Sequence, residues 1–149
     1  MTGAAEARLF VYGTLRRAVK APAFALFAEH ARYYDDGSVQ AIMYDFGAYP
    51  GVVLSDNAAD RVLGEVYALR TPGPTLALLD RYEGVAGTRG AEDALYERVQ
   101  VRVASAQHGT LTAWMYTYAG PLEGRARIGS GDYLDHLRRN PAIRPPTLD

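Results

Sequence analysis

The chain has 149 residues, of which 48% are hydrophobic and 22% charged, with a formal net charge of −1 and no cysteine. Those values describe one globular domain with room for a real core. They argue against a general nucleic-acid or anionic-membrane binder, which needs a basic excess. Disulfides, thiolate chemistry and cysteine-based metal sites are excluded. No apolar run approaches membrane-spanning length, and the N-terminus lacks the basic start and apolar core of a signal peptide, so the cytoplasm is the default expectation.

Residues 1–7 read as a short frayed end. Leu9-Phe10-Val11-Tyr12 has the β-branched and aromatic character of a buried strand, expected over 8–12. The strand runs into Gly13, with Thr14, Leu15 and the basic pair Arg16-Arg17 behind it. Two readings fit this junction. In one, Gly13 only ends a strand. In the other, the successive N–H groups of the turn point one way and form a nest for a carboxylate or phosphate. Pro22 opens a predicted helix through His30, with Phe24, Phe27 and Ala28 at helical spacing.

Residues 32–55 read as β-structure broken by turns. Asp36-Gly37 marks one turn, 39–44 a strand, 45–51 a compact loop and Ser55-Asp56-Asn57 another turn. A further strand is expected over 61–69, with Val62, Gly64, Val66 and Ala68 on one face and Leu63, Glu65, Tyr67 and Leu69 on the other. Thr71-Pro72-Gly73-Pro74 then starts a helix in which Leu76, Leu79, Asp80 and Glu83 share a face, apolar at its start and acidic at its end. Gly84 is its natural stop, and 85–94 reads as a mobile surface loop. Strands are expected over 96–103 and 111–118. Ser130-Gly131-Asp132 caps a last helix over 133–140, whose buried stripe is Tyr133, Leu134 and Leu137. Prolines 141, 145 and 146 mark an irregular tail. The chain thus reads as a single domain over 1–149, with its core over about 8–140. The expected fold class is α+β, a small mixed, mainly antiparallel β-barrel flanked by a few helices.

Several polar residues invite a functional reading, and structural ones compete with it. Glu97 alternates with Val99, Val101 and Val103, so it is expected to point inward and pair with an arginine. Asp80 reads as a helix-surface charge. Tyr118 and Tyr133 read as core tyrosines with satisfied hydroxyls. The three histidines, 30, 108 and 136, sit without ligand spacing, so no metal site is expected. The Tyr12–Leu15 turn also lacks the lysine and glycine spacing of a phosphate-binding P-loop.

Three motifs converge on a known family. Tyr12-Gly13-Thr14-Leu15 follows a first strand, Leu79-Asp80-Arg81-Tyr82-Glu83-Gly84 ends a mid-chain helix, and Leu95-Tyr96-Glu97-Arg98 opens a strand. Together they resemble the gamma-glutamylcyclotransferase-like, or AIG2-like, family. Ala48-Tyr49-Pro50-Gly51, Gly64-Glu65-Val66-Tyr67 and Ser130-Gly131-Asp132-Tyr133 support the likeness, which runs from about Leu9 to Leu137. The resemblance implies a cavity between the Tyr12–Leu15 loop and Glu83. It implies Glu83 as the catalytic acid/base, and Tyr12, Gly13, Thr14 and Leu15 as the loop holding a substrate carboxylate. Two stretches depart from the pattern: Arg17-Ala18-Val19-Lys20 carries no glycine, and the segment between Glu83 and Tyr96 is long.

The implied reaction is an internal aminolysis. The α-amine of a γ-glutamyl group attacks its own γ-carbonyl, 5-oxoproline closes, and an amine or amino acid leaves. Nucleophile and electrophile share one molecule, so the resemblance implies no metal or organic cofactor. The expected partner is a small γ-glutamyl molecule, with neither nucleic acid nor membrane, and the sequence is silent on oligomeric state. The competing expectation is a non-catalytic protein of the same fold that binds a small carboxylate.

Overall fold

A computed structural model describes residues 7–13, 15–17, 19, 27–47, 49–83 and 96–143, with the side chains of residues 81–83 outside that description. Most of the helix expected from Pro22, the loop expected over 85–94 and the end of the tail therefore lie outside the described residues. In chain order the elements are β1 (Arg8–Val11), β2 (Ala31–Asp45), β3 (Pro50–Leu54), β4 (Arg61–Leu69), α1 (Pro72–Glu83), β5 (Tyr96–Ser105), β6 (Gly109–Tyr118) and α2 (Tyr133–Arg139).

Five strands close into a barrel. The order runs β2-β4-β1-β6-β5, and β5 returns to β2 through Gly37↔Ser105 and Ser38↔Ala104. β1 and β6 are parallel at Leu9↔Trp114, and the other pairings are antiparallel. β3 flanks β2 from Ala41↔Leu54 to Asp45↔Pro50. The fold is α+β around a mixed barrel, as the strand spacing predicts.

The barrel buries residues on both of its surfaces, which explains why β1 is apolar without a break. Phe10, Val39, Met43, Val62, Val66, Val103 and Met115 fill the interior. Leu9, Val11, Tyr67, Leu69, Tyr116 and Tyr118 face outward and form a second cluster with Leu76 and Leu79 of α1. Full burial of each of those leucines is worth roughly 1.5–3 kcal/mol, so the apolar start of α1 is what seats it on the sheet. α2 begins where Asp132 accepts a hydrogen bond from Leu134 N at 3.1 Å, and Tyr133 enters the interior. This matches the cap expected from Ser130-Gly131-Asp132.

One expected turn is absent. β2 runs straight through Asp36-Gly37, with its irregularity earlier, between Tyr33 and Asp35. Gly37 is flanked by β4 at Gly64 and by β5 at Ser105. A Cβ at Gly37 would lie 2.6 Å from Val103 Cγ1, so glycine here lets the barrel close.

The buried carboxylate of Asp35 fastens the β5–β6 turn to β2. It accepts hydrogen bonds from Ser105 Oγ, from Gln107 N at 2.8 Å and from Asp36 N at 2.9 Å. The Ser105 hydroxyl, then the Gln107 amide, hold its pKa below the ordinary aspartate value against the opposing effect of burial. A depressed folded pKa gives stability that is complete above the unfolded value of about 3.9 and is lost as pH falls through the folded one. Asp35→Asn should therefore lower the melting temperature at pH 7, and the gap to wild type should narrow as pH is reduced below 4. Thermal melts across that range check this, and a gap that holds constant or widens would contradict it.

Candidate active site

β1 delivers Tyr12 and Gly13 to the barrel rim. The Tyr12 hydroxyl donates to the Tyr116 carbonyl at 2.7 Å, anchoring the start of the loop to β6. Gly13 presses on β3: a Cβ there would sit 2.7 Å from Pro50 Cγ and 3.0 Å from Pro50 Cδ. The chain then turns tightly, with Arg16 N donating to Gly13 O at 3.0 Å. Leu15 is buried in the outer cluster that also contains Leu76 and Leu79. Gly13 and Leu15 are both buried, and their N–H groups make no hydrogen bond among the described residues. The next two amides are used, Arg16 N on Gly13 O and Arg17 N on Glu65 Oε1 at 3.1 Å. Thr14 lies outside the described residues.

Glu83 is the last residue of α1, and its side chain lies outside the described residues. One turn earlier Asp80 fixes where that helix end sits. Its Oδ1 accepts from the Tyr116 hydroxyl at 2.7 Å and from Arg98 Nε at 2.8 Å, and its Oδ2 from Arg98 Nη2 at 3.2 Å. Arg98 lies over the Trp114 ring at 4.4 Å. Tyr116 thus joins two of the three motifs: its carbonyl holds Tyr12, and its hydroxyl holds the helix that ends in Glu83.

Two expectations need correction. Asp80 is an ion-paired anchor, with a side chain 16% exposed, and not a free surface charge. Glu97 is exposed, and the arginine expected beside it pairs with Asp80 instead. Glu97 shares the inward parity of Val101 and Val103 but lies at the strand's start, where β5 is not covered by the barrel core. Tyr118 and Tyr133 are buried as expected. Tyr118 packs on Phe46, with ring centroids 4.2 Å apart, and edge-on to Tyr96. The Tyr96 hydroxyl donates to Pro50 O at 3.0 Å.

Sequence reasoning assigned no role to Glu65, which is 3% exposed. It accepts from Arg17 N, from the Tyr67 hydroxyl at 2.8 Å and from Arg16 Nε at 3.4 Å. Burial, then Glu65 itself, push the Tyr67 hydroxyl far above its ordinary pKa, so it stays a donor. Arg16 also donates to Asp132 Oδ1 at 2.8 Å. The Arg17 guanidinium lies 3.9 Å over the Tyr33 ring. Burial and the Asp36 carboxylate raise the Tyr33 hydroxyl to about 12. A signal for Glu65 was present: a lone carboxylate on a strand otherwise apolar on both faces needs buried partners.

Among the described residues no group of three or more histidines and carboxylates is arranged to hold a metal ion, and no helix is long and apolar enough to cross a membrane. A depression of about 280 Å3 beside α2 is lined by Arg127, Ser130, Asp135, His136 and Arg139 and contains none of the loop residues. Its arginines are already paired, Arg127 with Asp60 and Arg139 with Asp135.

A five-stranded mixed barrel with a tight turn after β1, and a helix tied through Asp80 to the strand that also holds Tyr12, defines a recognisable class. The family described as gamma-glutamyl cyclotransferase, AIG2-like, matches residues 9–135, and the chain belongs to that family. It is 36% identical over 129 residues to the gamma-glutamylcyclotransferase family protein YtfP of Escherichia coli K12, covering 86% of this chain and 96% of the relative. The solution structure of E. coli YtfP is similar at 34% identity, with a TM-score of 0.57 and coverage of 87% of this chain and 97% of that one. The crystal structure of YkqA from Bacillus subtilis is similar at 25% identity, with a TM-score of 0.69 over 92% of this chain, which spans 43% of the YkqA chain.

The contact between Gly13 and Pro50 yields a direct test. Gly13→Ala would drive a methyl group into a rigid pyrrolidine ring, and overpacking of that kind costs about 1–3 kcal/mol. Denaturant unfolding should show a loss in this range, and a wild-type midpoint would contradict the packing described.

Proposed function

We propose that the protein cyclises a small γ-glutamyl compound to 5-oxoproline and releases an amine or amino acid. The observation that carries this reading is the pair of N–H groups on the buried residues Gly13 and Leu15 that have no partner among the described residues. Buried amides are normally paired, and a turn presenting free ones suits an anion. The substrate α-carboxylate fits that need, with Tyr12, Gly13, Thr14 and Leu15 forming its cradle. Family membership supports the reaction class.

In this mechanism the loop holds one end of the glutamyl group so that the chain bends and its amine meets its γ-carbonyl. Orientation of this kind supplies several kcal/mol of barrier lowering. Glu83 takes a proton from the α-ammonium, freeing the nitrogen lone pair. The nitrogen then forms a bond to the γ-carbon. As the tetrahedral carbon collapses, the bond to the leaving nitrogen breaks and Glu83 returns the proton to that nitrogen, while the ring nitrogen loses its second proton to water, so that a neutral lactam and an amine result. The Asp80–Tyr116–Tyr12 linkage supports this assignment, because it ties the helix carrying Glu83 and the carboxylate loop to one residue of β6. Asp80 is spent on Arg98 and Tyr116, and Glu83 is the other acidic residue of that helix.

The test is incubation of the purified protein with a panel of γ-glutamyl amino acids and γ-glutamyl amines, reading 5-oxoproline by mass spectrometry. Wild type should form product, and Glu83→Gln should lose at least about a hundredfold in rate, the scale of general acid–base catalysis, with unchanged thermal stability. Undiminished turnover in the variant would remove Glu83 from the mechanism. A protein that is stabilised by the panel compounds but yields no product would be a carboxylate-binding protein instead.

A further inference from the structure

Arg16 is the first charged residue after the carboxylate loop, and the obvious role for it is to pair with the substrate carboxylate. The geometry opposes that role. Arg16 is 9% exposed. Its Nε faces Glu65 at 3.4 Å and its Nη1 faces Asp132 at 2.8 Å. One guanidinium between two carboxylates leaves a net charge of −1 beside the proposed anion site. The three side chains therefore offer the ligand no attraction by charge, and what they contribute to binding is geometric.

The cluster has three attachments. Glu65 is rooted in β4, where its Oε1 takes the Tyr67 hydroxyl and the Arg17 amide. Asp132 is rooted at the start of α2, where the same Oδ1 that takes Arg16 also accepts from Leu134 N. The segment ahead of Asp132 is itself pinned to β4, with Leu63 N donating to Gly131 O at 2.8 Å. Arg16 joins the two roots, and Arg16 and Arg17 follow directly on Leu15. The turn is thus tied down immediately after its last free amide.

We infer that Glu65, Arg16 and Asp132 are positioning residues that hold the Gly13 and Leu15 amides in place for an anion, so that the site selects ligands with a free carboxylate. This inference rests on the γ-glutamyl reading for the identity of the ligand. Through the turn, these residues govern affinity for the carboxylate of substrate and product without touching either.

The sign of the effect separates this role from plain electrostatics. Glu65→Gln removes a negative charge that contacts the chain at Arg17, two residues after Leu15. If charge governed, a carboxylate would bind more tightly to the variant; if positioning governs, more weakly. Asp132→Asn is the second variant, because asparagine keeps the cap on Leu134 N but drops the ionic bond to Arg16. The experiment is calorimetric titration of the full-length protein with 5-oxoproline and with its neutral carboxamide, at a temperature where wild type and variants are all folded. Each variant should lose about tenfold in affinity for 5-oxoproline, the scale of charge-assisted hydrogen bonds held less well, while affinity for the carboxamide stays unchanged. A role limited to stability would lower the melting temperature and leave both affinities alone. Unchanged or tighter binding of 5-oxoproline to Glu65→Gln, an equal fall for both ligands, or no binding of 5-oxoproline to wild type would each overturn the inference. Turnover by the same wild-type sample decides the reaction separately: carboxylate binding that depends on Glu65 without turnover would remove the reaction and leave the positioning role standing.

Discussion

A carboxylate buried to 3% exposure, as Glu65 is, is tenable only if fully engaged. Its three partners here come from two parts of the chain: Tyr67 on its own strand, and the Arg16 guanidinium and Arg17 amide that follow β1. Removing Arg16 takes away the compensating charge, and removing either of the other two takes a donor from a buried carboxylate. Arg16 extends the cluster to Asp132 and hence to α2. Arg16 and Arg17, soon after β1, are thereby tied to β4 and to the start of α2. In the proposed site the binding surface is made of backbone amides, which have no side chains to adapt their shape, so that site depends on such an external anchor.

The second constraint is the two-sided barrel. Interior residues of β1, β4 and β6 pack against one another, while the outer faces of the same strands carry a second cluster covered in part by α1. Tyr116 stands on that outer side with its backbone in β6. Its carbonyl and hydroxyl point to different partners, Tyr12 and Asp80. Leu76 and Leu79 seat α1 on the sheet, and Asp80 ties its last turn to β6. The Arg98–Asp80 pair completes the lock from β5. The polar contacts around α1 therefore set direction, while the leucines supply most of the adhesion.

Much of this was legible in the residues. The unbroken apolar run of β1, the alternation of β4 and β5, and the Asp132 cap all lie where their patterns predict. The Asp36-Gly37 dipeptide misled because a glycine needed for close approach of β5 looks the same in sequence as a glycine needed for a turn. Glu97 misled because alternation gives the face of a strand but not where its cover ends. Asp80 and Glu65 were visible as charges, yet their partners, Arg98 and Arg16, come from distant positions that only the closed barrel brings near. Long-range ion pairing leaves no periodic mark on a sequence, and so the anchors of the site were hidden while its loop and helix stood out.

The central claim is that a carboxylate binds the free amides of the Gly13–Leu15 turn. The most direct measurement is a titration of the 15N-labelled protein with 5-oxoproline, following backbone amides by two-dimensional NMR. The account predicts saturable downfield shifts for the Gly13 and Leu15 amide protons as they gain a charged acceptor, with small changes at the Arg16 and Arg17 amides, which are already bonded. Shifts confined to the arginine-lined depression beside α2, or no saturable change at Gly13 and Leu15, would contradict it.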